Sequence, residues 1–145
     1  MKIQYITTDL EFESKEDLDI IVKEFGDEVC PHLNERIEDV YRVALGGAFS
    51  YSYPEQTVER FCTLIDGLSE QSKNLWETCN QRVLDIAFES GTEPKSVTYQ
   101  LPAELVGRAS KLGIGIAITI YPVGAYSVTE DSKPAHNNAT GAAGV

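Results

Sequence analysis

Ile3, Tyr5 and Thr7 alternate with the polar Lys2, Gln4 and Thr8, the period-two pattern of a strand with one buried face. The parity then slips, because Leu10 and Phe12 fall on the other phase, so a bulge or loop is expected near Thr8 and Asp9. Leu18, Ile21, Val22 and Phe25 recur at helical spacing, between Ser14 as N-cap (with Asp17 three residues on) and Gly26 as stop. Across residues 27–40 no period holds and Pro31 interrupts any helix, so this stretch reads as an acidic connection. Tyr41 to Tyr53 is rich in β-branched and aromatic residues and predicts one long strand, with Gly46-Gly47 as a bulge or a point of close backbone approach.

Pro54 suits a first helical turn, and Val58, Phe61, Cys62, Ile65 and Leu68 follow at helical spacing. After a break at Gly67, Ser69 to Gln81 reads as another helix carrying Leu75, Trp76 and Cys79. Arg82 to Ser90 reads as a buried strand closed by the turn Ser90-Gly91-Thr92-Glu93-Pro94. Pro102 opens a helix with Leu105, Val106, Ala109 and Leu112 inward, capped by Gly113; Ile114, Ile116, Ile118 and Ile120 then alternate in a final strand. The order β-α-β-α-(α)-β-α-β predicts an α+β fold: one mixed or antiparallel sheet of about four strands, packed by three to four helices in a ferredoxin-like manner. The domain is expected over 1–123, and 124–145, too poor in apolar residues to offset ordering entropy, is expected to be a flexible low-complexity tail.

A chain of 145 residues buries about 70% of its unfolded surface, enough for a core without disulfides. Cys30, Cys62 and Cys79 are odd in number, form no C-x-x-C pair, and follow no apolar signal segment, which points to reduced thiols and a cytoplasmic setting. No apolar run approaches the roughly 20 residues that span a bilayer, so no membrane partner is expected. Net charge is −11, and residues 1–40 hold twelve acidic against four basic side chains, which places −8 of it there. Such a field repels nucleic acid and speeds association with a basic partner.

Candidate chemistry is sparse. Gly113-Ile-Gly-Ile-Ala lies at a helix end entering a strand, the reverse of the dinucleotide-loop order, and Ala44-Leu-Gly-Gly-Ala lacks the Lys-Ser/Thr of a P-loop. Cys30 and His32 flank Pro31, but a structural metal site needs two more ligands, so no metal and no cofactor is expected. His136 falls in the expected tail, leaving His32 alone as a base for nucleophilic catalysis. Asn138-Ala-Thr fits a glycosylation sequon that a cytoplasmic chain leaves unused. Tyr41, Phe49, Tyr51 and Tyr53 lack the cations of a base-stacking groove. Ile20, opposite the apolar stripe of the first helix and ringed by Glu16, Lys23 and Asp27, has the form of an interface anchor with a polar rim.

The stretch Ile6-Thr-Thr-Asp-Leu through Phe25-Gly26, Tyr41 onward, and Leu101-Pro-Ala-Glu-Leu with Leu112-Gly-Ile-Gly-Ile-Ala-Ile-Thr-Ile-Tyr121 resembles a small bacterial α+β family of unknown function. The resemblance spans residues 3–122 and implies, by association, a place among immunity proteins of toxin systems; it supplies no catalytic residues. Cys30-Pro-His-Leu stands where that family usually has a Pro-Thr and Trp segment.

The sequence therefore predicts a non-enzymatic inhibitor or immunity protein, monomeric or homodimeric. Its acidic third would occlude a basic protein, either a nuclease toxin or other nucleic-acid-binding machinery such as a CRISPR effector. The partner-binding residues expected are Glu16, Asp17, Ile20, Lys23, Asp27, Glu28, Glu35, Glu38 and Asp39. The alternative is a small-molecule-binding domain or an enzyme with its pocket near Gly46-Gly47.

Overall fold

The structure is a computed structural model and describes residues 1–125; the expected tail beyond them, with His136 and the Asn138 sequon, lies outside the described residues. One five-stranded mixed sheet carries four helices, an α+β fold. The strands are β1 (Gln4–Ser14), β2 (Val29–Ile37), β3 (Val40–Gly47), β4 (Gln81–Glu89) and β5 (Gly115–Tyr121), in the spatial order β2-β3-β1-β4-β5. All neighbours are antiparallel except β4 and β5, which run parallel and are joined through a helix. The helices are α1 (Asp19–Phe25), α2 (Pro54–Asp66), α3 (Glu70–Glu77) and α4 (Ala103–Lys111).

β1 is the central strand. The register places Leu10 beside Leu45 and Leu84, and Phe12 beside Val43, so these side chains share one face of the sheet. That face meets Ile21, Val22 and Phe25 of α1, Val58, Phe61 and Ile65 of α2, Trp76 of α3 and Leu105 and Ala109 of α4, all buried in one core. The other face carries Asp9, Glu11 and Glu13 of β1, Arg42 of β3 and Asp85 of β4. Leu10 and Asp9 are both buried, on opposite faces. The parity slip in the sequence is thus no break in β1, which continues through Thr8 and Asp9; the register shift falls between Tyr5 and Thr7.

Several expectations need correction. The stretch 27–40 is not a connection: after one 3-10 turn (Gly26–Glu28) it forms β2 and enters β3. Its strand signal is masked because an edge strand tolerates Pro31, a register shift between Pro31 and Leu33, and charged side chains. Ser14 ends β1 instead of capping α1, although its Oγ accepts from Glu16 N at 3.0 Å; the N-cap position is Leu18. The Asp17 carboxylate supplies the local support, accepting from Asp19 N at 2.9 Å. β3 stops at Gly47 instead of running to Tyr53, and Val106 of α4 is exposed.

Trp76 closes the β4 end of the core. Its indole Nε1 donates to Leu112 O at 3.0 Å, its ring lies 5.0 Å from that of Phe12, and the Arg82 guanidinium sits 5.6 Å above it. Arg82 also donates from Nε to Trp76 O at 3.1 Å. Gly113, at φ 75°, leaves room for this guanidinium, since a Cβ there would lie 2.2 Å from Arg82 Nη1. Trp76→Ala removes the largest buried side chain and is expected to cost about 3–5 kcal/mol. Urea unfolding followed by circular dichroism checks this; an unchanged midpoint would show that α3 packs independently.

Candidate functional site

Asp9 lies on the sheet face away from the helices with Gly46 of β3 alongside it, where a Cβ would be 3.7 Å from Asp9 Oδ1. A glycine is needed there, because a Cβ on Gly46 would lie 2.8 Å from His32 Nε2. The imidazole therefore reaches over the strand from β2, where the register shift at Pro31/Leu33 turns it inward. Gly47 does the same for Phe49, whose ring would meet a Cβ at 2.3 Å. The glycine pair is thus a place where two side chains lie flat on the backbone, without a bulge in β3.

A cavity of about 360 Å³ opens beside this arrangement. Asp9, His32 and Cys30 form part of its wall; Phe49 and Tyr51, from the loop after β3, form another. Tyr5, Thr8 and Thr57 supply hydroxyls: Tyr5 Oη donates to Thr57 Oγ1 at 3.0 Å and lies 2.7 Å from Thr8 Oγ1. Thr57 comes from the first turns of α2, which Pro54 starts and the Gln56 side chain supports by accepting from Tyr53 N at 3.2 Å. Tyr5 packs at a tilt against Phe88, with 5.9 Å between ring centroids.

Asp9 is the unusual group. Its side chain is only 10% exposed, and its Oδ1 has no hydrogen-bond partner, the one such buried side-chain atom among the described residues. His32 Nε2 stands 3.9 Å away, too far for a hydrogen bond. Burial, then the nearby charges of Glu11 and Asp85, push the Asp9 carboxyl up to about 7. Glu11 is raised as well, by burial and then by Asp85. Asp85 itself accepts from Thr119 Oγ1 at 2.7 Å. Near neutrality Asp9 can therefore donate when protonated or accept when ionised. Among the described residues no three His, Cys, Asp or Glu side chains are grouped to hold a metal.

The expected partner-binding residues divide into two groups. Asp19 accepts from Asn34 Nδ2 at 2.8 Å, and Arg36 Nη2 donates to Lys15 O at 3.0 Å, which pins the β1–α1 connection against the end of β2. This brings the Glu16-Asp17 connection to the end of β2, the strand that carries Glu35, beside Arg42 on the face away from the helices, and that leads into Glu38 and Asp39; Ile37 is exposed. Ile20 is 40% exposed. Asp27 and Glu28 lie past the other end of α1, where Glu28 is ion-paired with Arg60, and Lys23 is paired with Asp19 at 2.9 Å. Cys62 and Cys79 are buried in the core, while Cys30 is exposed. Among the described residues no helix is long and apolar enough to cross a membrane.

Tyr5, Thr8, Asp9 and Thr57 carry no motif, and their only trace in the sequence is the parity slip at Asp9, which marks a strand buried on both faces. No family model, curated protein or solved structure matches the chain.

The Asp9 carboxyl titrates near 7 when folded and near 3.8 when unfolded, so between these values the folded state holds the extra proton. Stability from this group is full below about pH 4 and falls as pH rises through 7. Asp9→Asn abolishes that loss. The variant is expected to match the wild type near pH 4 and to exceed it by on the order of 2–4 kcal/mol at pH 8. Chemical denaturation at both pH values measures the difference; a gap that does not grow with pH would place the proton elsewhere.

Proposed function

We propose that the chain is a small-molecule-binding domain whose ligand fills the cavity beside Gly46 and presents a cationic donor, such as a primary ammonium or an amidinium, to Asp9. The observation that carries this reading is the unpartnered Oδ1 of a buried carboxyl in a cavity wall. An unsatisfied buried acceptor costs about 1–3 kcal/mol, and groups kept at such a cost cluster at binding sites. A bound cation would satisfy Oδ1 and favour the ionised carboxylate. Phe49, Tyr51 and the Tyr5, Thr8 and Thr57 hydroxyls offer a mixed apolar and polar lining of the kind such pockets use.

Because Asp9 must be ionised to pair with a cation, affinity is expected to rise about tenfold per pH unit up to 7 and to level off above it. Calorimetric titration of a panel of small primary amines and amidinium compounds, at pH 5.5 and 8, measures this. Affinity that is the same in Asp9→Asn, or absent for every member at both pH values, rules the reading out.

A second reading, an inhibitor that covers a basic protein, is favoured by the contacts that bring the Glu16-Asp17 connection to the end of β2, the strand that carries Glu35 and leads into Glu38 and Asp39. Ile20 and Ile37 supply apolar anchors there. Asp27, Glu28 and Lys23 are less suited, since two of the three are already paired within the chain. A nuclease toxin or a CRISPR effector would present the required basic surface. On this reading Glu16→Lys with Glu35→Lys lowers the on-rate for a partner captured from the native cell at least tenfold at low salt. An unchanged on-rate and salt dependence excludes it.

A further inference from the structure

The two edges of the sheet are built in opposite ways. β2 carries Pro31, a register shift between Pro31 and Leu33, and the charged Glu35 and Arg36, the devices that keep an edge strand from pairing with another chain. β5, the last strand at the other side among the described residues, has none of them: Gly115–Tyr121 contains no charged residue and no proline, and it pairs with β4 without a shift. Its register sets Ile116, Ile118 and Ile120 beside Leu84, Ile86 and Phe88, on the face that meets the helices. Leu84 and Ile86 are covered there, yet Ile116, Ile118 and Ile120 are 38%, 56% and 67% exposed, because the helical layer ends before it reaches them. A neutral strand with a bare isoleucine row is a template for a further strand.

We infer that β5 is the interface at which two copies of this chain associate, strand to antiparallel strand about a two-fold axis at Ile118. In that register Ile118 faces its own symmetry mate and Ile116 faces Ile120 of the other copy, so six isoleucines form one continuous apolar row. Antiparallel pairing keeps both helical layers on the same face of a ten-stranded sheet. The row is self-complementary, as an isologous interface requires. Each copy carries −11, but β5 itself is uncharged. The acidic residues of α1 and β2 lie at the far edge, four strand spacings or about 19 Å away, against a screening length of about 8 Å at physiological ionic strength. Growth stops at two copies because the remaining edges are the protected β2 strands.

Size-exclusion chromatography with light scattering on the full chain, at about 10 and 200 µM, reads the outcome directly; the dimer has twice the 16.0 kDa chain mass. Ile116→Lys is expected to give a monomer with an unchanged far-ultraviolet spectrum. The double variant Ile116→Lys/Ile120→Glu sets opposite charges across the axis in both pairs and is expected to restore the dimer. Ile20→Lys, on α1, is expected to leave it intact. A monomeric wild type at 200 µM, with the row left to some other occupant, overturns the inference. So does a double variant no more dimeric than the single one, since that excludes this register.

Discussion

Pairing of β1 on both sides holds the molecule to a single reference line. Because β3 and β4 flank it antiparallel, Leu10 and Phe12 are locked into the helical core while Asp9, Glu11 and Glu13 are locked onto the opposite face. A slip of one residue in either pairing would exchange the two sets, moving carboxylates into the apolar core and isoleucine-sized side chains out. Core burial therefore fixes the position of Asp9 as firmly as it fixes Leu10. The carboxyl has no freedom to move to water, and its raised affinity for a proton follows from this geometry.

The remaining parts of the cavity depend on the same line. β3 sets Gly46 beside Asp9, which admits the His32 ring, and α2 packs on β1 and delivers Thr57 to the Tyr5 hydroxyl. α1 is tied to its neighbours by polar contacts as well as by its apolar stripe. The Glu24 carboxylate accepts from Ser69 N at 2.5 Å and from Ser72 Oγ at 2.7 Å, which fixes the start of α3 against α1. These hydrogen bonds hold its carboxyl below the usual range. β2 serves both the cavity and the acidic surface, with Cys30 and His32 in the cavity wall near its start and Glu35 toward its other end.

Elements with a strong period were legible in the sequence. α2 starts at Pro54 and buries Val58, Phe61, Cys62 and Ile65; α3 starts after Ser69, whose Oγ accepts from Ser72 N; and β4 and β5 lie where the apolar runs place them. β2 was not legible, because an edge strand with Pro31 and alternating charges has neither a helical nor a strand period. The cavity was legible only as a location, through Gly46-Gly47. Asp9, Tyr5, Thr8 and Thr57 are separated by up to 52 residues and meet only through pairing and packing.

By itself the sequence determined the α+β class, the positions of α2, β4, α4 and β5, most of the core faces of the helices and the concentration of acid in the first forty residues, since all of these follow from local spacing and composition. Only the tertiary structure decided that the sheet has five strands, that Asp9 is buried opposite the core with an unpartnered oxygen, that the acidic residues split between two ends of α1, and that the isoleucines of β5 stay uncovered. The reason is that each of these depends on which strand lies beside which, and neighbours in a sheet are chosen by long-range burial that no local pattern encodes.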